Sequence, residues 1–473
     1  MHEVAVKVLA RGYTAPWDNL FICPRWQLHI LFPVLTWLCM AFVDDRNVKT
    51  CRGWVLVGVH ALGVSGILSI LVVFLRMPFL KSVITNADQV FGLSLVLHVN
   101  LSVVVWLCSM SSTLISMTVH HKLRYLGHCW VVAAAGTALM VLSALLQGAV
   151  PIKSNYVPVI DHWFFFVGLG LFCCGVLLNT LPSVTRRKDQ RTDFPMLVGI
   201  HGMSAMMTAA VFCFITAYSA TDKNLESLVF YERVFWGAGH LLQGVFGQAF
   251  LVVMLLKIRH GRFTHPYLVS TVFAINALSV IIASAAHIIY PLDFALLAEF
   301  FTWHMRIAEA VVPAFLIVFA GGNLKALLQR DNRHLLYSTV MFTYGGILGI
   351  LSMHGTVTIP AHYHGCVVGM TAAFMGFVYL MMPQFGYRAV SQTWQNIQLF
   401  VYSAGQMLHI TGLELLGGYG ALRKVTHLPD AASAVARYCF SVGGAMAIIG
   451  GFLFVMLVLV CVYRGRETKH GTS

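Results

Sequence analysis

Long apolar runs, separated by short polar segments, recur along the whole chain. Each run has about 18 to 29 residues, enough for an α-helix to cross a hydrocarbon core of about 30 Å. The thirteen runs are residues 26–43, 53–75, 89–117, 126–150, 159–181, 195–219, 230–257, 267–290, 298–321, 335–353, 359–382, 396–418 and 440–463. The linkers are too short for a separate soluble domain. The pattern predicts one all-α domain over residues 1–473, a polytopic transmembrane helical bundle.

The composition supports this prediction. Hydrophobic residues make up 58% of the chain and charged residues only 10%, whereas a soluble protein carries about 25% charged residues. The net charge of +13 could indicate nucleic acid, but the basic residues lie in short loops between apolar runs, which is typical of orientation signals. The eleven cysteines form no CxxC motif, so no covalently attached c-type haem is predicted. The mixed, polar N-terminus does not have the pattern of a removable signal peptide.

The loops on one side of the predicted bundle are the more basic. They include Arg186, Arg187, Lys188 and Arg191 in one loop, and Lys257, Arg259 and Arg262 in the next loop on that side. Because positively charged loops stay in the cytoplasm, we expect the N-terminus outside and the C-terminus inside.

Most of the 21 histidines lie at helix ends or in loops, and five inside predicted helices carry more weight: His98, His240, His287, His362 and His364. Ionisable groups inside apolar helices are costly and mark functional sites. With the orientation above, His98 and His240 lie about 14 Å below the outer face at 1.5 Å per residue. The other three lie nearer that face. The sequence therefore predicts that all five converge in the outer half of the membrane.

The segment AHYHG places two histidines two residues apart. Residues with this spacing point about 200° apart on a helix, so His362 and His364 cannot share one metal there. Each can serve a different metal on opposite sides of the same helix. Since neutral imidazole is a common axial ligand of haem iron, one helix between two haems accounts for the spacing.

The helix order of these histidines, together with H-x-H, resembles the catalytic subunit of the haem-copper oxidase superfamily, which includes cytochrome oxidases and nitric oxide reductases. That family has twelve core helices. Its second and tenth helices carry the haem ligands, and its sixth and seventh carry ligands of a second metal. Here the histidines lie in the third, seventh, eighth and eleventh runs, which matches if one helix is added at the N-terminus.

The resemblance implies a role for each of the five histidines. His98 and His364 would be the axial ligands of a low-spin haem b, and His362 the proximal ligand of a high-spin haem. His240, in FWGAGHLLQG, and His287, in SAAHIIYP, would bind the second metal, copper or non-haem iron.

Arg423 and Lys424, in GGYGALRK, resemble the family's basic pair for the haem propionates. The alternative is an ordinary pair of loop charges. The resemblance also implies an electron-donating partner (another subunit, cytochrome c or quinol), further membrane subunits and a bacterial inner membrane.

The second-metal site departs from the family pattern. The family has two adjacent histidines in the eighth run, whereas Ile288 follows His287 here. Two histidines alone make a poor copper site. His304, Glu309 and Gln243 are candidates for a third ligand, and the sequence does not decide among them.

Two positions bear on the substrate. Oxygen reductases of this family use a tyrosine beside the metal, but its two usual positions are occupied here by Gly244 and Ile281. Nitric oxide reductases lack that tyrosine, because two NO molecules need only two electrons and two protons to give nitrous oxide. Glu309 resembles one of their glutamates, although the glutamate that completes their iron site would fall at Gly244. We therefore favour NO reduction over oxygen reduction.

Other functions stay open at this stage. An oxygen reductase with a relocated tyrosine, such as Tyr290 or Tyr344, is the nearest alternative. A transporter would contain no haem, and a catalytically silent haem subunit would lack the second metal. Of the 18 acidic residues, only Glu309 and Glu414 lie clearly within predicted helices, at mid-depth or nearer the outer face. No buried acid or lysine leads up from the cytoplasmic half of the predicted helices, which favours proton uptake from outside without pumping.

Overall fold

The computed structural model describes residues 45–75, 84–118, 127–184, 194–258, 261–290, 293–351, 356–421 and 433–465. Helices make up most of these residues. The long helices are α1 (Asp45–Phe74), α2 (Ala87–Ser116), α3 (Cys129–Ser143), α4 (Trp163–Val184), α5 (Phe194–Ala220), α6 (Ser227–Lys257), α7 (Pro266–Ala283, then Ala286–Ile289), α8 (Phe294–Ile307, then Val311–Gly322), α9 (Arg333–Leu351), α10 (Thr358–Met381), α11 (Gln392–Gly418) and α12 (Ala434–Tyr463). Shorter elements are a helix at Leu324–Leu327, 3-10 turns at Arg330–Asn332 and Pro383–Phe385, and strands β1 (Val150–Ile152) and β2 (Val159–Asp161).

These helices confirm the prediction of a polytopic transmembrane bundle. Ten of those in the described ranges are long and apolar enough to cross a membrane. Helix α1 corresponds to the second predicted run, and the order then agrees to the C-terminus. The first predicted run, 26–43, lies outside the described residues. Helix α3 is shorter than its predicted run, 126–150, because the chain leaves the helix after Ser143.

The helices pack in a closed arrangement. Neighbours along the chain pair in the order α1 with α2, α3 with α4, α9 with α10 and α11 with α12, and α12 returns to pack on α1. At that last contact, Gly63 and Gly66 of α1 face Val455 and Phe452. Helices α6 and α10 lie at the centre and are the most buried. They carry three of the five predicted histidines.

Three helices are irregular next to candidate functional residues. In α2, a π-helical segment at Asn100–Val105 follows His98. Helix α7 is interrupted before the short turn that carries His287. Helix α8 is interrupted at residues 308–310, and Glu309 lies in that break. Such irregularities redirect side chains that a regular helix would turn elsewhere.

An antiparallel hairpin connects α3 and α4, with Pro151 paired to Ile160. The helix before the hairpin was predicted to extend to residue 150, and the helix after it was predicted to begin at residue 159. The apolar residues of the strands continue those runs, and periodicity cannot separate such a short strand from a helix. We call residues 149–161 the strap.

Candidate haem and metal site

His98 of α2 is held through its Nδ1 atom. The carbonyl oxygen of Ser65 lies 3.1 Å from Nδ1, and the Ser65 hydroxyl lies 2.9 Å from it. That hydroxyl also donates to the carbonyl oxygen of His98, at 3.0 Å. Because a carbonyl oxygen only accepts, Nδ1 carries the proton and Nε2 carries the lone pair that a metal uses.

His362 and His364 of α10 are held in the same way. The Nδ1 of His362 donates to the carbonyl oxygen of Gly345 at 2.7 Å, and the Nδ1 of His364 donates to that of Pro360 at 3.0 Å. The two rings have different neighbours: His362 packs against Gly349 of α9, and His364 lies 5.6 Å from the ring of His409 of α11. The two histidines thus face opposite sides of α10.

A hydrogen bond between α2 and α10 fixes the relative depth of His98 and His364. Trp106 Nε1 donates to Thr371 Oγ1 at 3.2 Å. His98 lies eight residues before Trp106, somewhat less than about 12 Å along the helix because the π-helical segment between them rises less per residue. His364 lies seven residues before Thr371, about 10.5 Å along α10. Both helices cross in the same direction, so the two histidines lie at nearly the same level.

The arrangement of His98, His362 and His364 fits haem iron. Histidine ligands donate their second ring N–H to a carbonyl or carboxylate, which fixes the tautomer and the orientation of the ring. All three side chains have a carbonyl oxygen at Nδ1. The predicted propionate residues, Arg423 and Lys424, lie outside the described residues.

His240 of α6 has a different environment, because both of its ring nitrogens are engaged. Its Nδ1 lies 2.9 Å from the carbonyl oxygen of Trp236, and its Nε2 lies 2.7 Å from the hydroxyl of Tyr156. The ring of Phe301 contacts both imidazoles, with centroids 5.8 Å from His240 and 5.9 Å from His287. Phe301 is therefore shared by the two residues predicted to bind the second metal.

His287, His304 and Glu309 supply further buried polar atoms. The Nε2 of His287 has no hydrogen-bond partner in the described part of the chain, and neither ring nitrogen of His304 has one. His304 Nδ1 lies 3.4 Å from Glu309 Oε1. The carboxyl carbon of Glu309 lies 3.5 Å from the position that a Cβ would take at Gly244. The carboxyl group therefore lies beside Gly244, the position at which the resemblance to nitric oxide reductases had expected a glutamate.

The second metal does not fit these residues as they are arranged. Within the described ranges, no group of three or more His, Cys, Asp or Glu side chains is placed to hold a metal ion. Gln243 is exposed on the bundle surface. The assignment of His240 and His287 to a second metal stays a prediction.

A pair of buried amides continues from the site toward the side predicted to be cytoplasmic. Asn276 Nδ2 donates to the carbonyl oxygen of Gly244 at 3.1 Å and to Gln248 Oε1 at 2.8 Å. Gln248 Nε2 donates to the carbonyl oxygen of Gly199 at 2.7 Å. Gln248 lies eight residues beyond His240, about 12 Å deeper. These amides were not predicted, because only acids and lysines were expected to mark a proton path in this half.

Two other partners of the histidines were not predicted from the sequence. Ser65 and Tyr156 are 33 and 84 residues from the histidines they contact. Ser65 is a polar residue within an apolar run, which was a usable signal. Tyr156 lies in a connection between runs, where no pattern distinguishes it from other loop residues.

Comparison with known proteins gives a consistent result. Residues 50–456 match the family described as cytochrome c and quinol oxidase polypeptide I. The chain is similar to an uncharacterized protein of Rickettsia prowazekii (strain Madrid E), with 25% identity over 87% of this chain and 96% of that protein. It is also similar to an uncharacterized protein of Aquifex aeolicus (strain VF5), with 22% identity over 71% of this chain and 85% of that protein.

Proposed function

The chain belongs to the cytochrome c and quinol oxidase polypeptide I family, and on that premise we propose that it is a catalytic subunit that reduces nitric oxide to nitrous oxide. The family implies an integral membrane oxidoreductase that contains haem. In the proposed reaction, two NO molecules, two electrons and two protons give one N2O and one water.

In this proposal, His98 and His364 hold a low-spin haem and His362 holds a high-spin haem. When bound, the haems supply the electron path and the iron at which a gas binds. The protein holds the imidazole rings in place through the carbonyl oxygens of Ser65, Pro360 and Gly345. These contacts keep Nδ1 protonated and leave Nε2 as the donor atom.

The observation that carries the choice of NO is the position of Glu309. The resemblance associates a glutamate in this helix with nitric oxide reductases, and a buried carboxyl group inside the membrane is costly and is retained for function. Glu309 is only 6% exposed. The break in α8 brings its carboxyl group beside Gly244 and next to His304. We propose that Glu309 holds a proton for the substrate at this point.

The purified complex tests this proposal directly. With a chemical electron donor under anaerobic conditions, the wild-type complex is expected to convert NO to N2O, measured by gas chromatography. Glu309→Gln should slow this conversion at least tenfold while both haem spectra stay unchanged. Glu414→Gln is the matched control, because Glu414 also has a buried oxygen with no hydrogen-bond partner among the described residues but lies on α11. Equal rates in the two variants would contradict the role of Glu309.

Oxygen reduction is the second candidate, and one contact favours it. Tyr156 places a hydroxyl group 2.7 Å from Nε2 of His240, a residue that the resemblance assigns to the second metal. Oxygen reductases of the family have a tyrosine beside that metal, although at the positions that Gly244 or Ile281 occupy here. The tyrosines considered from the sequence lie elsewhere: Tyr344 faces Thr411 at 3.4 Å, and Tyr290 packs on Phe300. Oxygen consumption by the same preparation, measured with an electrode, separates the two substrates.

Family membership supports an oxidoreductase over a transporter. A visible spectrum of the purified protein checks this point before any kinetic work. Absence of haem would contradict the enzymatic proposal as a whole, whereas two haems without gas reduction would favour a catalytically silent subunit.

A further inference from the structure

We propose that one water molecule binds between Oδ1 of Asn276 and Oε1 of Glu309, beside Gly244, and that Asn276 positions this water to exchange protons with the carboxyl group. The inference deepens the proposed function and rests on it, because Glu309 is the group proposed to hold a proton for the substrate. It gives Asn276 a positioning role and makes water the ligand of the site.

The orientation of the Asn276 amide is fixed by its own hydrogen bonds. Its Nδ2 donates one hydrogen to the carbonyl oxygen of Gly244 at 3.1 Å and the other to Oε1 of Gln248 at 2.8 Å. Because a backbone carbonyl oxygen only accepts, the nitrogen and the oxygen of this amide cannot exchange places. Asn276 is fully buried, and its Oδ1 has no hydrogen-bond partner among the described residues. A buried acceptor without a donor is unfavourable, so this oxygen needs a partner.

Glu309 supplies a second buried oxygen of the same kind. Its Oε1 has no hydrogen-bond partner in the described ranges, although Nδ1 of His304 lies 3.4 Å away. The carboxyl carbon of Glu309 and Oδ1 of Asn276 each lie 3.5 Å from the same point, the position that a Cβ would take at Gly244. Two groups this close are within the span of one bridging water. Side chains of α7 and α8 thus converge beside one glycine of α6.

Water is the ligand that fits these two oxygens. The amide oxygen only accepts hydrogen bonds, and so does an ionised carboxyl group, so the two cannot bond to each other directly. A water molecule can donate one hydrogen to each, and buried waters bind where polar atoms without other partners converge. When the carboxyl group is protonated, it donates to the water, which still donates to Asn276. The same water therefore serves both states of Glu309.

Glycine at position 244 keeps the space between the two groups open. A Cβ there would lie 2.8 Å from Cγ2 of Val280, which is too close for two carbon atoms. Glu309 is only 6% exposed, so its carboxyl group needs a carrier to exchange protons with solvent. A proton that arrives at the bound water releases another to the carboxylate, and the water is regenerated in each turnover.

The test combines a structure with kinetics. A cryo-EM map of the haem-containing wild-type protein, at a resolution that shows ordered water, should contain a peak within hydrogen-bond distance of both oxygens. Asn276→Leu removes the acceptor at nearly equal side-chain size, and its map should lack the peak. Its kcat for NO reduction should fall about two- to tenfold, the factor that one hydrogen bond is worth. Its KM for NO should stay unchanged, because the site for the gas is intact.

Asn179→Leu is the matched control. Asn179 is a fully buried asparagine of α4 whose Nδ2 also donates to a backbone carbonyl oxygen, that of Ser112 at 3.0 Å. Its Oδ1 already accepts from the hydroxyl of Ser116 at 2.9 Å. This variant should keep both the peak beside Gly244 and the wild-type kcat.

Three results would overturn the proposal. A wild-type map without the peak, including one in which the carboxyl group contacts Asn276 directly, means that no water binds there. A peak that persists in Asn276→Leu means that Asn276 does not hold the water. An unchanged kcat in Asn276→Leu, or an equal loss in both variants, means that the water does not serve Glu309.

The map is independent of turnover, and the wild-type map decides whether water binds even if Asn276→Leu does not fold. NO reduction by a wild-type protein without the peak rejects only this inference. A peak in a protein that produces no N2O rejects the proposed function and keeps the water site.

Discussion

Trp106 of α2 donates a hydrogen bond to Thr371 of α10, with 3.2 Å between Nε1 and Oγ1. The two side chains join the helices that carry His98 and His364, at a point C-terminal to both histidines. Phe374 and Phe454 pack edge-on against the same indole ring. The contact therefore holds the two proposed ligands of one haem at a common level.

Replacing Thr371 by Val removes the acceptor and keeps the shape of the side chain. The buried indole N–H loses this partner, which costs about 1–3 kcal/mol. Thr371→Val should lower the thermal stability of the low-spin haem signal, measured by absorbance during heating in detergent. Thr339→Val is the control, because Thr339 is also buried but bonds to Leu335 of its own helix. A similar loss in both variants would contradict a specific role for the contact.

Removing a haem ligand should affect only one of the two haems. His98→Ala is expected to abolish the low-spin absorbance and leave the high-spin haem in place, because His98 and His362 lie on separate helices. His60→Ala should leave both spectra unchanged, since His60 is exposed on α1 and bonds to Leu56. Optical and electron paramagnetic resonance spectra distinguish the outcomes. Loss of both haems in His60→Ala would show general unfolding instead.

The complementary substitution is His362→Ala. It should abolish gas reduction while the low-spin spectrum remains, because His364 faces the other side of α10. The measurement combines N2O production with the reduced-minus-oxidised spectrum of the same sample. Retained turnover would reject the assignment of His362 as the proximal ligand.

The transmembrane helices could be predicted from the sequence because each one is determined by a continuous stretch of apolar residues. A run of apolar residues long enough to cross a bilayer must satisfy its own backbone hydrogen bonds, and a helix does so. The H-x-H spacing likewise predicted that His362 and His364 serve different partners. The roles of these residues rest on the resemblance, and the assays above test them.

The breaks in α7 and α8 could not be predicted in this way. The polar residues Ser284 and Glu309 stand alone among alanines at these two breaks, so the apolar runs do not end there. Pro313 was a usable signal for the break in α8, because a proline removes the helical hydrogen bond to the residue four positions earlier, which is Glu309. Yet these breaks set the directions of His287 and Glu309. The contact of Tyr156 with His240 could not be predicted from the sequence either, because the two residues are 84 positions apart. The hairpin that carries Tyr156 also has strands whose apolar residues resemble the ends of the neighbouring helices.

Gly349 offers the sharpest test of how the high-spin haem is positioned. A Cβ at this residue would lie 2.5 Å from Nδ1 of His362 and 2.6 Å from its Cε1. Gly349→Ala should therefore displace the ring from the carbonyl oxygen of Gly345. Loss of such a supporting contact typically weakens metal binding about ten- to a hundredfold. We expect a reduced content of high-spin haem with the low-spin haem intact, measured by haem extraction and spectroscopy. Gly346→Ala is the matched control, because a Cβ there meets no atom of the described chain within 4 Å. If the two alanine variants retain equal high-spin haem, the packing of His362 against α9 does not position the haem ligand.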